Sequence, residues 1–449
     1  MSVGIKGDDI MDYSPAVKKI LAKEKIEVGN RLSVEKGGKI SEGVLMPNTG
    51  DPNVLVVKLD NGYNVGLTPE GIKIKKLAQP KRVLPKKMKY ERDESKKTIL
   101  ILHTGGTIAS RIDYETGAVN TSITPEDLIA SVPELAAIAN IRAEIVFQMF
   151  SEDLEPDHWM LLAKKIAQDY ERYDGIIVTH GTDTIHYTSA ALSFMLQNIP
   201  KPVILVGSQR SSDRGSSDAA MNLLCAAQFI VNSNFAGVAV CMHANMDDDY
   251  CYVHSGLHVR KMHTSRRDSF RSIDVMPIAK VSTSGTVEMS EYKKPSGEFK
   301  PLIAFEKKVA LVKVHPGFNH RELESYGKIG YRGIVLEGTG LGHAPINAVD
   351  KLTKHHALLL SVIKKMTKKG IIAMTSQCLY GKVGMNVYST GRVLQEAGVI
   401  PVQMTPEAAF VKLGWVLGQT KNLEVAKNLM VENIMGEQIE RIDPKAFLF

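Results

Sequence analysis

Two short segments gather hydroxyl and glycine residues where a strand gives way to a turn. They are Thr104-Gly105-Gly106-Thr107-Ile108-Ala109-Ser110 and His180-Gly181-Thr182-Asp183-Thr184. A threonine hydroxyl is a weak nucleophile at neutral pH unless a neighbouring base takes its proton. Candidate bases are Asp183, a lysine of depressed pKa, and Tyr114, which lies in the segment 110–117 after the first motif. The glycines let backbone N–H groups come close to a ligand. A helix starting after Asp183 would add partial positive charge suited to a carboxylate. The chemistry this pattern suits is nucleophilic attack on a carbonyl carbon. The plainer reading of each segment is a tight strand-to-helix turn capped by threonine.

Other chemistries find less support. There is no GxxxxGK[ST] and hence no P-loop, and no GxSxG nucleophile elbow. Gly338-Thr339-Gly340-Leu341-Gly342 lacks the spacing of a dinucleotide fingerprint. His254 and His258 stand four apart without the glutamate of HExxH, so a surface or packing role is expected. Asp247-Asp248-Asp249 reads as a polar turn. Cys225, Cys241, Cys251 and Cys378 show no CxxC spacing and are expected to be free buried thiols. No metal-ligand pattern or cofactor motif stands out, so neither a metal nor a cofactor is expected in this chain.

The elements that must position the two motifs follow from the pattern along the 449 residues. Residues 98–300 alternate apolar strand runs with helical stretches, which predicts a larger doubly wound parallel α/β domain. Strands are expected at Thr98–Leu102, Ile141–Phe147, Gly175–His180, Val203–Gly207 and Gly237–Met242, and helices at Pro125–Ile138, His158–Tyr173, Thr184–Gln197 and Asp218–Asn232. Both motifs then lie at carboxyl ends of strands, the edge where open α/β sheets bind ligands. Asn245 to Pro301 reads as hairpins and a long connection. Residues 301–449 read as a smaller C-terminal α/β domain, with helices at Lys351–Lys368 and Thr405–Gly418 among others.

The first 97 residues differ in texture. Five short β runs between Arg31 and Lys76, with Asp60-Asn61-Gly62 as a hairpin signal, predict a small SH3-like β-barrel over residues 1–78. Ser14 to Lys25 reads as a short helix. Residues 79–97 form a basic linker. The net charge of +7 sits wholly in residues 1–97, where 20 Lys and Arg face 13 Asp and Glu. That asymmetry fits an appended module facing an anionic partner, nucleic acid first, and equally a solubilising surface. The barrel is expected to act through shape and backbone charge or through a partner, and any phosphate contacts it makes should come from Lys73, Lys75, Lys76, Lys81, Arg82, Lys86, Lys87 and Lys89. No apolar run reaches the ~18 residues of a membrane span. The N-terminus has no apolar secretion-signal core, so a cytoplasmic location is expected.

TGGTIAS and HGTDT together resemble the two signatures of the bacterial-type L-asparaginases, over about Thr98 to Val431. The resemblance implies a two-domain α/β fold and an amidohydrolase with a threonine nucleophile, Thr107. It implies catalytic roles for Thr182 and Asp183. His258-Val259-Arg260-Lys261 stands where the family has a DVTK-like segment, which makes Lys261 the matching lysine. It would pair with Asp183 and polarise Thr182. The family's Ser-Gln for the substrate carboxylate appears as Ser151-Glu152, a departure that bears on the preference for asparagine. Gly106 and Gly181 would line the substrate site, and Tyr114 loosely matches the family's tyrosine.

The N-terminal segments, with Ser376–Gly381 and Asn386–Arg392, resemble the D-subunit family of the archaeal glutamyl-tRNA(Gln) amidotransferases. That implies ammonia release from glutamine for a partner, the amidotransferase E subunit, which would carry ATP and Mg²⁺ and bind most of the charged tRNA(Gln). It also implies a homodimer within an α2β2 complex. A free-standing L-asparaginase and a tRNA-binding scaffold with a decayed site are the competing expectations. The first is set against by the basic N-terminus, the second by the presence of Thr107, Thr182, Asp183 and Lys261.

Overall fold

A computed structural model describes residues 13–48, 51–59, 64–78, 92–106, 111–112, 119–120, 132–211, 216–292 and 294–448. Helix α1 (Pro15–Lys23) begins at Ser14, whose hydroxyl caps the Val17 N–H. The five short strands then fall within a residue or two of expectation: β1 (Arg31–Lys36), β2 (Lys39–Leu45), β3 (Leu55–Leu59), β4 (Asn64–Leu67) and β5 (Lys73–Lys76). They form one antiparallel sheet in the order β4-β3-β2-β1-β5. Alternate residues Leu32, Val34, Leu45, Leu55 and Val57 point inward onto Val17 and Leu21, as the period of two requires. The Asn61-Gly62 turn lies outside the described residues, yet Lys58 pairs with Asn64 across it.

The large sheet holds eight strands. β6 (Thr98–Gly105) lies between β9 (Asn140–Met149) and β10 (Gly175–Thr179), and β11 (Pro202–Val206) and β12 (Gly237–His243) follow. These five are parallel. β10 and β11 are buried along their whole length, as expected for strands covered on both faces. The 245–301 region supplies β13 (Tyr250–Ser255), β16 (Ala279–Ser282) and β17 (Val287–Met289), which extend the sheet antiparallel. It also supplies a separate two-stranded ribbon, β14 (Val259–Lys261) with β15 (Phe270–Ser272). A second small ribbon pairs β7 (Arg111–Ile112) with β8 (Val119–Asn120). Helices α3 (Pro156–Asp169) and α4 (Ile185–Met195) cover one face, and α2 (Leu135–Ile138) and α5 (Ala219–Asn232) the other. Of the helix expected at Pro125–Ile138, residues 125–131 lie outside the described residues, Pro133 and Glu134 form a turn, and the described helix is α2, four residues long from Leu135.

The second unit is a four-stranded parallel sheet: β18 (Val309–Lys313), β19 (Gly333–Gly338), β20 (Ile371–Ser376) and β21 (Val399–Pro401). Helices α6 (His320–Lys328), α7 (His356–Met366) and α8 (Ser389–Glu396) pack on one side. Helix α9 (Pro406–Gln419) packs on the other, and α10 (Leu423–Val431) follows. Helix α7 starts five residues later than the expected Lys351, because the Asp350 carboxylate and Thr353 hydroxyl accept backbone N–H groups and hold a turn there. Such local side-chain bonds compete with helix. α9 lies against α4, with Phe194 stacked on Trp415 at 5.7 Å and Tyr187 edge-on to Phe410 at 6.1 Å. The two α/β units therefore share one hydrophobic core. Among the described residues no helix is long and apolar enough to cross a membrane.

Candidate active site

In chain order the five parallel strands run second, first, third, fourth, fifth across the sheet. The connections after β6 and β10 therefore leave in opposite directions and open a crevice between those two strand ends, the position where such sheets bind ligands. The two hydroxyl-rich segments meet there. Gly106 has φ +84°, and a Cβ on it would lie 2.4 Å from the Gly181 nitrogen. A Cβ on Gly181 would lie 2.7 Å from the Ser151 Cβ. No side chain can stand at either position, so the first two loops meet backbone to backbone and Ser151 of the third packs its side chain on Gly181. Thr184 ties two of them, its hydroxyl donating to the Ser151 carbonyl at 2.7 Å.

Thr182, Asp183 and Lys261 converge on this crevice. The Lys261 ammonium donates to Thr182 Oγ1 at 2.8 Å and to Asp183 Oδ1 at 2.8 Å. Thr182 is buried. The Lys261 side chain is 10% exposed and that of Asp183 is 65% exposed, so the lysine sits inside the crevice and the carboxylate at its mouth. An ammonium is donor only. The Thr182 hydroxyl proton must therefore point away from Lys261, and negative charge developing on Oγ1 is stabilised.

The histidine of the second motif is scaffold. His180 is wholly buried, and burial lowers its pKa to about 4, so the ring is neutral. Its Nδ1 lies 2.7 Å from the Gly181 carbonyl and its Nε2 2.8 Å from the Thr188 hydroxyl. Nδ1–H donates to the carbonyl, and Nε2 accepts from Thr188. Burial likewise brings His103 to about 4, and its Nδ1 faces Thr179 Oγ1 at 2.6 Å. Thr104 donates to the Thr179 carbonyl at 2.8 Å, which joins the start of the first motif to β10.

The remaining expected site residues divide. Ser151 opens a short 3-10 turn at the end of β9; it is buried, and its hydroxyl has no partner among the described residues. Glu152 follows on the exposed side of that turn. Thr107, Tyr114 and nearly all of the segment 110–117 lie outside the described residues, so the role of Thr107 rests on its place in the motif. Lys81 to Lys89 lie outside as well. Lys73 pairs with Glu35 at 3.7 Å, and Lys76 donates to the Lys25 carbonyl at 2.9 Å.

Several bystanders also find their places. His254 and His258 are both buried packing residues, bonded to Ser272 Oγ and the Gly436 carbonyl. Asp248 pairs with Arg267. Cys225, Cys241 and Cys251 are buried, whereas Cys378 is exposed, contrary to expectation, because it lies in the turn after β20.

Two contacts at the site were not foreseen from sequence. Arg260, beside Lys261, pairs with Glu407 of α9 at 2.9 Å. The Asp218 carboxylate accepts from the Ser208 hydroxyl and from the Gln209 and Arg210 N–H groups, which orders the loop after β11. Arg260 had one legible signal, its adjacency to Lys261; Glu407 and Asp218 had none.

Three family models match the chain: asparaginase, N-terminal, over residues 98–294; the glutaminase/asparaginase C-terminal domain over 308–430; and the GatD N-terminal domain over 26–77. The chain is 48% identical over 447 residues to the glutamyl-tRNA(Gln) amidotransferase D subunit of Pyrococcus furiosus, covering 96% of this chain and 99% of that protein. It is 44% identical over 440 residues to the protein of the same name from Methanothermobacter thermautotrophicus, covering 96% and 98%. Among solved structures it is similar to the thermostable L-asparaginase of Thermococcus kodakarensis, with TM-score 0.68 and 33% identity over 76% of this chain and 99% of that one. L-asparaginase I of Vibrio cholerae gives TM-score 0.66 and 32% identity over 77% and 99%. The chain belongs to the asparaginase family and, within it, to the glutamyl-tRNA(Gln) amidotransferase D subunits.

Proposed function

We propose, from that membership, that this chain is the ammonia-releasing subunit of a tRNA-dependent amidotransferase that converts Glu-tRNA(Gln) to Gln-tRNA(Gln). The observation that carries the reading is the convergence of Lys261 on Thr182 and Asp183 at the strand crevice, in a chain that also carries the GatD N-terminal domain. In this reading the Thr107 oxygen attacks the side-chain amide carbon of glutamine. Its proton goes to the departing nitrogen, and ammonia leaves. The acyl-enzyme is opened by water, whose oxygen joins the acyl carbon as a proton returns to the threonine. Thr182, held by Lys261 and Asp183, orders the second half of the site. Backbone N–H groups near Gly106 and Gly181 face the oxyanion.

The partner is the amidotransferase E subunit, in an α2β2 assembly around a homodimer of this chain. ATP and Mg²⁺ act in that partner, charged tRNA(Gln) binds mainly through it, and the complex works in the cytoplasm. The chain purified with the partner should form Gln-tRNA(Gln) from Glu-tRNA(Gln), ATP and glutamine, and release little ammonia without them. Rapid asparagine hydrolysis by the chain alone, indifferent to partner and tRNA, would support the free-standing asparaginase instead.

Ser151 and Glu152 set the amino-acid end of the pocket. Its acidic second residue suits the substrate's α-ammonium. Glu152→Gln removes a charge-assisted bond worth about 1.5–3 kcal/mol. Both amides carry that α-ammonium, so kcat/KM should fall roughly tenfold or more for glutamine and asparagine, and any change in their ratio reports how Glu152 sets the depth of the pocket. Unchanged kcat/KM values and an unchanged ratio would show that Glu152 does not touch the ligand.

A further inference from the structure

Lys261 sits on a short two-stranded ribbon outside the large sheets. β14 is three residues long and, among the described residues, belongs to none of the large sheets and pairs with the three-residue β15 alone. Ser272 of β15 meets His254 of β13 at 2.9 Å, and Val259 and Phe270 are buried in the shared core; the face that carries Arg260 is held by the second α/β unit, at three points. His258, just before β14, directs Nε2 at the Gly436 carbonyl at 2.8 Å. Arg260 Nη1 meets Glu407 Oε1 at 2.9 Å and Oε2 at 3.2 Å. Asp274, just after β15, accepts the Gly381 N–H at 3.0 Å.

Successive side chains of a strand point to opposite faces. His258 and Arg260 face the second unit, and Lys261 faces Thr182 and Asp183. The anchors on the far side are themselves fixed. Glu407 lies in the first turn of α9, which Thr405 caps at the Ala408 N–H. Glu437, next to Gly436, is wholly buried and paired with Lys412 of α9. The Arg260 and Glu407 side chains are 26% and 8% exposed, so the pair is shielded from solvent and from salt.

We infer that the Arg260–Glu407 ion pair is a positioning pair: it clamps the β14–β15 ribbon to the second unit and thereby holds Lys261 within reach of Thr182 and Asp183. The inference rests on the catalytic reading of Lys261 given above. Both 2.8 Å contacts of Lys261 are lost if the strand drifts by about 1 Å, a misplacement that can cost on the order of 10²-fold in rate. The substrate-facing residues at 151–152 lie on another loop and do not move with the ribbon. Loosening the clamp should therefore lower kcat and leave KM in place.

The test uses the full chain in complex with its partner, with glutamine as substrate and ammonia release as readout. Glu407→Gln keeps the side-chain volume and removes the charge. The expected result is a fall in kcat of about tenfold or more, with KM changed by less than about twofold and a circular dichroism spectrum that shows the fold intact. Glu407→Asp, which keeps the charge on a shorter arm, should recover part of the loss. Should Glu407→Gln fail to fold, Arg260→Lys gives the same reading, because lysine keeps the charge but not the planar fork. An unchanged kcat, or a rise in KM alone, overturns the clamp. Lys261→Ala is measured beside them. If it abolishes activity while the clamp variants stay normal, only the clamp fails; if it is itself active, the catalytic reading fails and the clamp with it.

Discussion

Lys261→Met should lower the rate of amide hydrolysis by roughly 10³-fold or more without unfolding the protein. Lys261 donates to Thr182 and Asp183 at 2.8 Å each, so its removal takes the positive charge from one hydroxyl and one carboxylate together. The Asp183 side chain is 65% exposed, so the carboxylate left behind is solvated and adds little folding cost. The methionine stem fills most of the volume the lysine leaves. Thr182→Val removes the hydroxyl at nearly constant volume and should produce a loss of the same order. The two losses should not add, because both variants disable one unit. Steady-state ammonia release, with circular dichroism to check the fold, measures all of this. Near-normal hydrolysis by either variant would remove the Thr182–Asp183–Lys261 cluster from the mechanism.

Lys412→Met should cost about 3–5 kcal/mol of stability and lower the melting temperature by roughly 10 °C. Lys412 and Glu437 are paired with neither side chain exposed. Burial pushes the ammonium pKa down, and the Glu437 carboxylate opposes that shift. Glu437 also accepts the Ile434 N–H at 3.1 Å and the Met435 N–H at 2.7 Å, so it holds the segment after α10 against α9. With methionine at 412 the carboxylate is buried without its counter-charge. The double variant Lys412→Met, Glu437→Leu removes both charges and should regain much of the loss, since an apolar pair avoids desolvating two ions. Thermal unfolding of the three proteins checks the order. A single variant as stable as the parent would mean that the carboxylate reaches water. Because Gly436 also receives His258, the single variant should lose activity as its C-terminal segment loosens.

The legible features of this chain are local ones. The five N-terminal strands, the alternating strands and helices of both α/β units, and the two motifs at strand ends follow from periodicity, turn residues and hydroxyl spacing over a dozen residues or fewer. β10 and β11 were legible because strands buried on both faces read as unbroken apolar runs. Ser14 and Thr405, read as the first residues of their helices, are the N-caps of α1 and α9, a one-residue difference because an N-cap acts on N–H groups two or three residues ahead. Lys261 was reachable only through a family motif, since no local rule joins it to a hydroxyl 79 residues earlier. Contacts between residues far apart in the chain had to come from the folded molecule. The early start expected for α7 gave way to the Asp350–Thr353 turn, a contest of side-chain and backbone bonds that composition does not settle. The backbone contact of Gly106 with Gly181, and the pairing of Arg260 with a glutamate 147 residues away, exist because strand order folds distant segments onto one sheet edge and α9 onto α4. Hydrophobic periodicity states which face of an element is buried; it does not state against which other element, and that choice is what brought Lys261 to Thr182.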